Sequence, residues 1–270
     1  MQANHPVVLV TGASYGIGKA IAEYLATRSY TVFGTSRNPK ENSVNGVQLL
    51  ALDLTKEGTI STLINTIIEK SGQIDFLINN AGMGITGAVE ETPLDAMKLA
   101  FETNYFGTLG LINEVLPHMR NQHSGMIINI TSIAGYMGLP FRGIYTATKG
   151  ALGLTTEAYR LELVPFNIKM TTIAPGDVAT NIAAGRFHTP VCDHSPYNKQ
   201  YAKSLAMMDT QVDTGISTLK MAQAVHRVMK KKNPKAHYRV GHTVQKLGVT
   251  LKRILPSRFY EYLLKRHYKL

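Results

Sequence analysis

Val7-Val8-Leu9-Val10-Thr11-Gly12-Ala13-Ser14-Tyr15-Gly16-Ile17-Gly18 is the stretch that decides the architecture of this chain. The apolar run from Pro6 to Val10, with its β-branched residues, reads as a buried parallel strand. Gly12, Gly16 and Gly18 then mark a tight turn, and Ala20, Ile21, Ala22 and Leu25 succeed them at helical spacing. A strand, a glycine turn and a helix N-terminus in that order can hold a pyrophosphate. Backbone N–H groups and the helix dipole face the anion, and the missing Cβ atoms allow it to come close. The spacing is Gly-x-x-x-Gly-x-Gly, not the Gly-x-Gly-x-x-Gly of the standard dinucleotide fingerprint, and a glycine turn alone is a weak signal. Residues downstream of the turn strengthen it.

Strands and helices alternate along the rest of the chain. Strands are expected at Tyr30 to Ser36, Val47 to Leu54, Ile74 to Ile78, Met126 to Thr131, Ile168 to Ile173 and Tyr238 to Gly241. Helices are expected from about Pro93 to Gln122, Tyr145 to Val164 and Gly215 to Lys231. This alternation predicts an α/β fold, a right-handed, doubly wound parallel sheet in one domain. Ligands in such sheets lie outside the carboxyl ends of the strands. Here those ends carry Asp53-Leu54 and Asn79-Asn80-Ala81-Gly82. The second strand ends in Thr35-Ser36-Arg37, and no Asp or Glu lies between Glu23 and Glu41. The acid that accepts from an adenosine 2′-hydroxyl is therefore missing. Arg37, helped by the Ser14 hydroxyl, suits a 2′-phosphate, which favours NADP over NAD. The plainer alternative makes Arg37 a solvated loop arginine.

TGASYGIG at 11–18, the Asp53 strand end, NNAG at 79–82, Asn104, Ser132, YTATK at 145–149 and PGDVAT at 175–180 together resemble the short-chain dehydrogenase/reductase family. The order is the family's and the motifs span about two-thirds of the chain. SIAGYMGLPFRGIY, residues 132–145, further resembles the branch holding 17β-hydroxysteroid dehydrogenases, retinol dehydrogenases and acyl-dihydroxyacetone-phosphate reductases. The resemblance implies a Rossmann-type fold. It places a dinucleotide against Gly12, Ser14, Tyr15, Gly16, Ile17, Gly18, Arg37, Asp53, Leu54, Asn80, Ala81, Gly82, Asn104, Tyr145, Lys149, Pro175, Gly176, Val178 and Thr180.

The side chains give the chemistry. Tyr145 and Lys149 stand at i and i+4 and share one helix face. A tyrosine near its reference pKa of ~10 is a poor proton shuttle at neutral pH, and a neighbouring ammonium favours its phenolate. Ser132 closes the Met126 strand, placed to donate a hydrogen bond to a substrate carbonyl as charge develops on oxygen. By resemblance, Lys149 also binds the nicotinamide ribose, and Asn104 kinks its helix and holds a water linking Lys149 to solvent. Singly, a Tyr-x-x-x-Lys pair is more often an exposed amphipathic pair, Ser132 a turn residue and Asn104 a polar interruption. Jointly they predict hydride transfer with Tyr145 protonating the carbonyl oxygen. Met83, Ile85, Met137, Leu139 and Phe141 near that point suggest an apolar, elongated or ring-shaped ketone. By resemblance the candidates are a 3-keto sphingoid base, acyl-dihydroxyacetone phosphate, a steroid or a retinoid. The competing class is an NADP-binding sensor without turnover.

From Asp177 to Thr214 no periodicity is strong. This segment (about 177–214) reads as an irregular substrate lid with an apolar surface from Phe187, Leu205, Met207 and Met208. The domain would end near residue 242. Residues 1–229 are charge-neutral, so the net charge of +11 sits in the last 41 residues, which hold 12 basic residues and one acid, Glu261. Residues 243–270 read as a basic, amphipathic helical extension. Val244, Leu247, Leu251, Ile254 and Leu255 share a face beside Lys246, Lys252 and Arg253, and Pro256 separates a second helix with Phe259, Tyr262, Leu263 and Leu264 among Arg258, Lys265, Arg266 and Lys269. An anionic membrane surface fits this pattern, as does packing over the cleft or on another subunit. Nucleic acid is disfavoured because it would leave the apolar stripe unexplained. The single Cys192 suits a reducing cytoplasm, and no leader-like or spanning run is evident. No metal-ligand spacing occurs among the nine histidines. The family habit of pairing through two long central helices implies a homo-oligomer.

Overall fold

A computed structural model describes residues 5–39, 41, 43–180, 185–190, 194–268 and 270. Cys192 and Lys269 lie outside these. The first strand, β1 (Val7–Val10), is fully buried, as its unbroken apolar run requires. It leads through the glycine turn into α1 (Gly16–Ala26). Then come β2 (Thr31–Ser36), a short hairpin of β3 (Ser43–Val44) and β4 (Val47–Ala51), α2 (Glu57–Ser71) and β5 (Phe76–Asn79). Gly72 takes φ 72° to end α2, a left-handed cap that glycine makes without steric cost.

The second half contains β6 (Ile85–Thr86), α3 (Leu94–Phe101), α4 (Gly107–Asn121), β7 (Gly125–Ile130), α5 (Gly143–Glu162) and β8 (Ile168–Pro175). After it come β9 (Phe187–His188), α6 (Asn198–Asp213), α7 (Thr218–Met229), β10 (His237–Val240), α8 (Thr243–Ile254) and α9 (Ser257–Tyr268). The sheet order is β10-β8-β7-β5-β1-β2-β4-β3, parallel except for the β3–β4 pair. Strand order reverses between β1 and β5, so the ligand crevice lies above these two strands. Side chains alternate across the sheet. Val7 and Leu9 pack with Ile64, Ile67, Leu111 and Val115 of α2 and α4, while Val8 and Val10 pack with Ile21, Leu25, Met221 and Val225 of α1 and α7. The expected doubly wound parallel sheet is the observed one.

Two expectations need correction. The long helix from Pro93 to Gln122 is interrupted at Glu102–Phe106 by a π-helical turn joining α3 to α4, with Asn104 buried inside it. One extra residue per turn cannot be read from an apolar repeat. The segment 177–214 is also not irregular throughout. It carries β9, which pairs in parallel with β6, and the 16-residue helix α6. The buried positions of α6 are Tyr201, Ser204, Met208 and Val212. Their spacing is helical, but two of the four are not apolar, so the period is hidden from a hydrophobicity count.

Candidate active site

The glycine turn is shaped by contacts that forbid side chains. A Cβ on Gly18 would lie 2.2 Å from the Gly12 carbonyl oxygen and 2.3 Å from Asn80 Nδ2. Gly12 and Gly16 have φ +65° and +59°, the left-handed region where glycine is favoured. Two strand ends are stitched together here. Asn80 Nδ2 donates to the Thr11 carbonyl at 2.9 Å, and the Asn80 and Ala81 N–H groups donate to Thr11 Oγ1 at 3.0 and 2.9 Å. Thr180, on the loop after β8, sits 3.7 Å from where a Gly16 Cβ would be. Loops from β1, β5 and β8 thus converge on one crevice. Ser14 and Tyr15 are exposed at its rim, and Ile17 is half-buried.

A cavity of about 440 Å³ opens beside the turn, lined by Ala13, Ser14, Lys19, Ser36, Asn38 and Glu41 among others. Arg37 is exposed between two of its lining residues. Lys19, held 3.8 Å from Glu23, is a second cation here that sequence reading overlooked. Asp53 accepts from the Thr55 hydroxyl at 2.8 Å, and this bond above all holds its carboxyl below the ordinary value. Leu54 is buried against Gly107, whose Cβ would lie 2.2 Å from the Leu54 carbonyl oxygen. These packed glycines leave a backbone-lined cradle at the switch point. That is the surface a dinucleotide needs, so the residues fit the group.

The four polar residues singled out by sequence lie just after β7 (Ser132), in the first two turns of α5 (Tyr145 and Lys149) and in the π-turn between α3 and α4 (Asn104). Asn104 Oδ1 accepts from Met83 N–H at 2.8 Å, and its Nδ2 donates to the Met83 carbonyl at 2.9 Å and to Thr148 Oγ1 at 3.1 Å. Thr148 donates in turn to the Tyr145 carbonyl at 2.8 Å. The π-turn therefore brings Asn104 onto both the NNAG loop and the turn of α5 that bears Tyr145. A Gly82 Cβ would stand 2.9 Å from Asn104 Oδ1 and 3.4 Å from Lys149 Nζ, so Gly82, Asn104 and Lys149 meet at one point. Lys149 is buried, donates to the Ile130 carbonyl at 3.1 Å, and is pushed down to about 8 by desolvation. Ser132 caps the 3-10 turn Ile133–Tyr136, and its Oγ accepts from Ala134 N–H at 3.1 Å. That turn packs on α5 where Gly135 faces Lys149 and Gly150.

Around Tyr145 cluster Met83, Ile85, Ile144 and Phe187; of the five apolar residues expected here only Met83 and Ile85 are among them, because Met137 packs with Ile133, Ala174 and Val249 under α8. Phe141 instead packs on Tyr197, just before α6, and on Tyr201 and Leu205 of α6. Pro175-Gly176 ends β8 beside β10, where the Gly176 N–H donates to the Val240 carbonyl at 2.8 Å. Val178 bridges to Ile216.

The polar set on α5, the cradle at the switch point and the sheet order define a dinucleotide-dependent oxidoreductase. The short chain dehydrogenase family model matches residues 6–190, and the chain belongs to that family. It is 36% identical over 263 residues to the 3-ketodihydrosphingosine reductase of Bacteroides thetaiotaomicron, covering 97% of both chains. Among solved structures, a short-chain dehydrogenase from Streptomyces avermitilis superposes with TM-score 0.82 at 27% identity, covering 94% of this chain and 97% of that one. ElxO with NADP bound gives TM-score 0.71 at 27% identity, covering 87% and 97%.

Proposed function

We propose that this oxidoreductase reduces the ketone of a long-chain lipid at the expense of NADPH, with a 3-keto sphingoid base as the first candidate. The observation that carries the reading is the convergence of Lys149, Asn104 and Gly82 one helical turn from Tyr145, beside the apolar cluster of Met83, Ile85 and Phe187. The 36% identity to a reductase of that lipid class supports the choice of substrate. The cofactor would lie on Gly12, Gly16, Gly18, Asn80–Gly82, Lys149 and Thr180, and when bound it supplies the hydride. Arg37, at the end of β2 where no acid stands to accept from a 2′-hydroxyl, favours the 2′-phosphate form; Lys19, paired with Glu23, and Glu41 also line the cavity there.

Tyr145 gives its hydroxyl proton to the carbonyl oxygen. Ser132 turns its own O–H toward that oxygen while its lone pair keeps the Ala134 bond, so it can act as donor without losing its place. The Lys149 ammonium supports the phenolate left behind. Asn104 holds the Met83 backbone and, through Thr148, the start of α5. The test is NADPH oxidation against long-chain amino ketones, steroids, retinal and small polar ketones, with NADH alongside. Lipid turnover with NADPH, lost in Tyr145→Phe while NADPH binding persists, supports the reading. Full activity in Tyr145→Phe, or turnover of small polar ketones only, overturns it. NADPH binding with no turnover of any ketone would favour the sensor.

Two further parts of this reading concern surroundings. Leu99, Phe106, Leu154, Leu161 and Val164 are exposed on the central helices or just after them, a face suited to a second copy of the chain. The extension presents Val244 and Ile254, 79% and 71% exposed, with Leu247, Phe259 and Tyr262, among the cations Lys246, Lys252, Arg253 and Arg258. Beside them a cavity of about 480 Å³ is lined by Lys235, His237, Arg239 and Lys246. No helix among the described residues is long and apolar enough to cross a membrane. A cytoplasmic protein resting peripherally on an anionic bilayer fits these features.

A further inference from the structure

The loop after β8 runs from the end of the sheet to the glycine turn. Thr180 lies 3.7 Å from where a Gly16 Cβ would be, so the course of this loop sets one wall of the crevice. The root of the loop is held twice. On one side the Asp177 carbonyl accepts from Ile216 N–H and Ala179 N–H donates to the Ile216 carbonyl, both at 3.0 Å. On the other side the Asp177 carboxylate accepts from Nε2 of Gln245, the third residue of α8. The first tether is made just before α7. The second comes from the basic extension, 68 residues further along the chain.

Gln245 is itself held in place. Its Oε1 accepts from the His242 N–H at 3.3 Å, part of a capping box that satisfies a donor at the start of α8. Gly176 and Gly241 make room for it: a Cβ on Gly176 would overlap Oε1, and one on Gly241 would stand 2.9 Å from the same atom. The amide therefore fills the space beside the ends of β8 and β10 with both its polar atoms engaged, one on its own helix and one on the loop. Further along α8, Val249 is 1% exposed and packs on Ile133 and Ala174, with Tyr136 and Met137 beside them. On α9 the Tyr260 hydroxyl donates to Met137 Sδ at 2.9 Å. The inward side of the extension thus rests on the turn after Ser132 and on the loop that carries Thr180.

We propose that Gln245 is a positioning residue for the dinucleotide, holding the 175–180 loop through Asp177, so that the C-terminal extension sets cofactor affinity. A primary amide is the group this place requires. It accepts from the helix start and donates to a carboxylate at the same time, which neither a carboxylate nor an ammonium can do. Without that bond the loop keeps its backbone bonds to Ile216 but loses the tether on the other side. Ordering it against the glycine turn would then cost more entropy at the moment of binding. This inference rests on the cofactor reading proposed above.

The experiment uses the full chain with Gln245→Glu, Gln245→Met, Asp177→Asn, and Gln245→Glu combined with Asp177→Asn. Glu keeps the acceptor for the His242 N–H, so α8 stays capped, but it sets a carboxylate against Asp177. Met keeps the bulk and removes the bond without adding charge. Asn at 177 can still accept from Gln245, and in the double variant it donates to the new carboxylate. NADPH affinity by its fluorescence, the thermal midpoint, and hydrogen exchange at residues 175–180 of the cofactor-free protein are measured on each. Gln245→Glu and Gln245→Met should each weaken NADPH about tenfold and speed exchange of the Ala179 amide by a similar factor. Asp177→Asn should stay within about twofold of wild type, and the double variant should return to that range. Unchanged affinity in Gln245→Met, or no recovery in the double variant, would overturn the proposal. A lowered thermal midpoint with affinity per folded molecule retained would reduce Gln245 to a helix cap. If the wild type binds neither NADPH nor NADH, the cofactor reading fails first, and exchange unmoved by Gln245→Met would remove the tether as well.

Discussion

Desolvation of Lys149 pushes its ammonium down to about 8, because the side chain is enclosed with only the Ile130 carbonyl bonded to it. A base whose folded value is depressed binds fewer protons folded than unfolded, so its burial penalty is complete below that value. The penalty fades as pH rises toward 10.5, the ordinary lysine value, and stability contributed by this group rises with it. In the cofactor-free protein, Lys149→Met should therefore gain stability relative to wild type at pH 7, and that advantage should be about 2 kcal/mol smaller at pH 9.5. Urea midpoints of both proteins at the two pH values check this; an equal difference at both would mean that Lys149 is not held low. Catalysis should move oppositely, since the variant lacks the cation beside Tyr145. Gly18 offers a second prediction of the same scale. Its replacement by Ala puts a methyl 2.2 Å from the Gly12 oxygen and must deform the turn. Gly18→Ala should lose roughly 1–3 kcal/mol or more, and NADPH affinity should fall with it, both readable by thermal melts with and without cofactor.

At the scale of elements, α6 is held to the body of the domain through a small buried polar group. The Tyr201 and Thr86 hydroxyl oxygens are 3.0 Å apart, and His188 Nδ1 is 3.2 Å from the Tyr201 oxygen. Tyr201→Phe should cost about 1 kcal/mol of stability and raise KM for the ketone several-fold with NADPH affinity unchanged. A KM equal to wild type would separate α6 from substrate binding. None of this group was legible in the sequence, because Thr86 stands 102 and 115 residues from its two partners. What was legible was local: the glycine turn, the alternating strands, and Tyr145 with Lys149 on one helix. The π-turn at Asn104 was legible only as the kink that the family resemblance implied, since a single inserted residue leaves the apolar spacing of α3 and α4 nearly intact. The extension was read in part. Val244, Leu247 and Ile254 do share a face, but it faces outward, and Val249, outside the predicted stripe, packs inward on Ile133 and Ala174. Hydrophobic spacing marks a face without saying what covers it.

For the whole molecule, the two outward apolar surfaces have different electrostatics and so different expected occupants. Leu154 and Leu161 stand two turns apart on α5, 70% and 77% exposed, with the acids Glu157 and Glu162 nearby, a composition suited to a protein partner. Leu154→Glu combined with Leu161→Glu should convert an oligomer to a monomer by light scattering while NADPH binding persists. The face of α8 and α9 is different, because its apolar residues are surrounded by cations with Glu261 as the one acid in the last 41 residues. Each basic residue near an anionic leaflet contributes about 1 kcal/mol, and the apolar side chains add burial in the headgroup region. Attraction of this kind weakens as salt shortens the screening length. The protein should float with vesicles containing phosphatidylserine at low salt, less so in ~0.5 M salt, and hardly at all with neutral phosphatidylcholine vesicles. Val244→Glu with Ile254→Glu should abolish flotation, and because both side chains are exposed to solvent and neither touches the site residues, turnover of a detergent-dispersed ketone should survive. Recovery with neutral vesicles equal to that with anionic ones would remove the charge argument. Recovery of the double variant equal to wild type would remove the apolar face as the attachment surface.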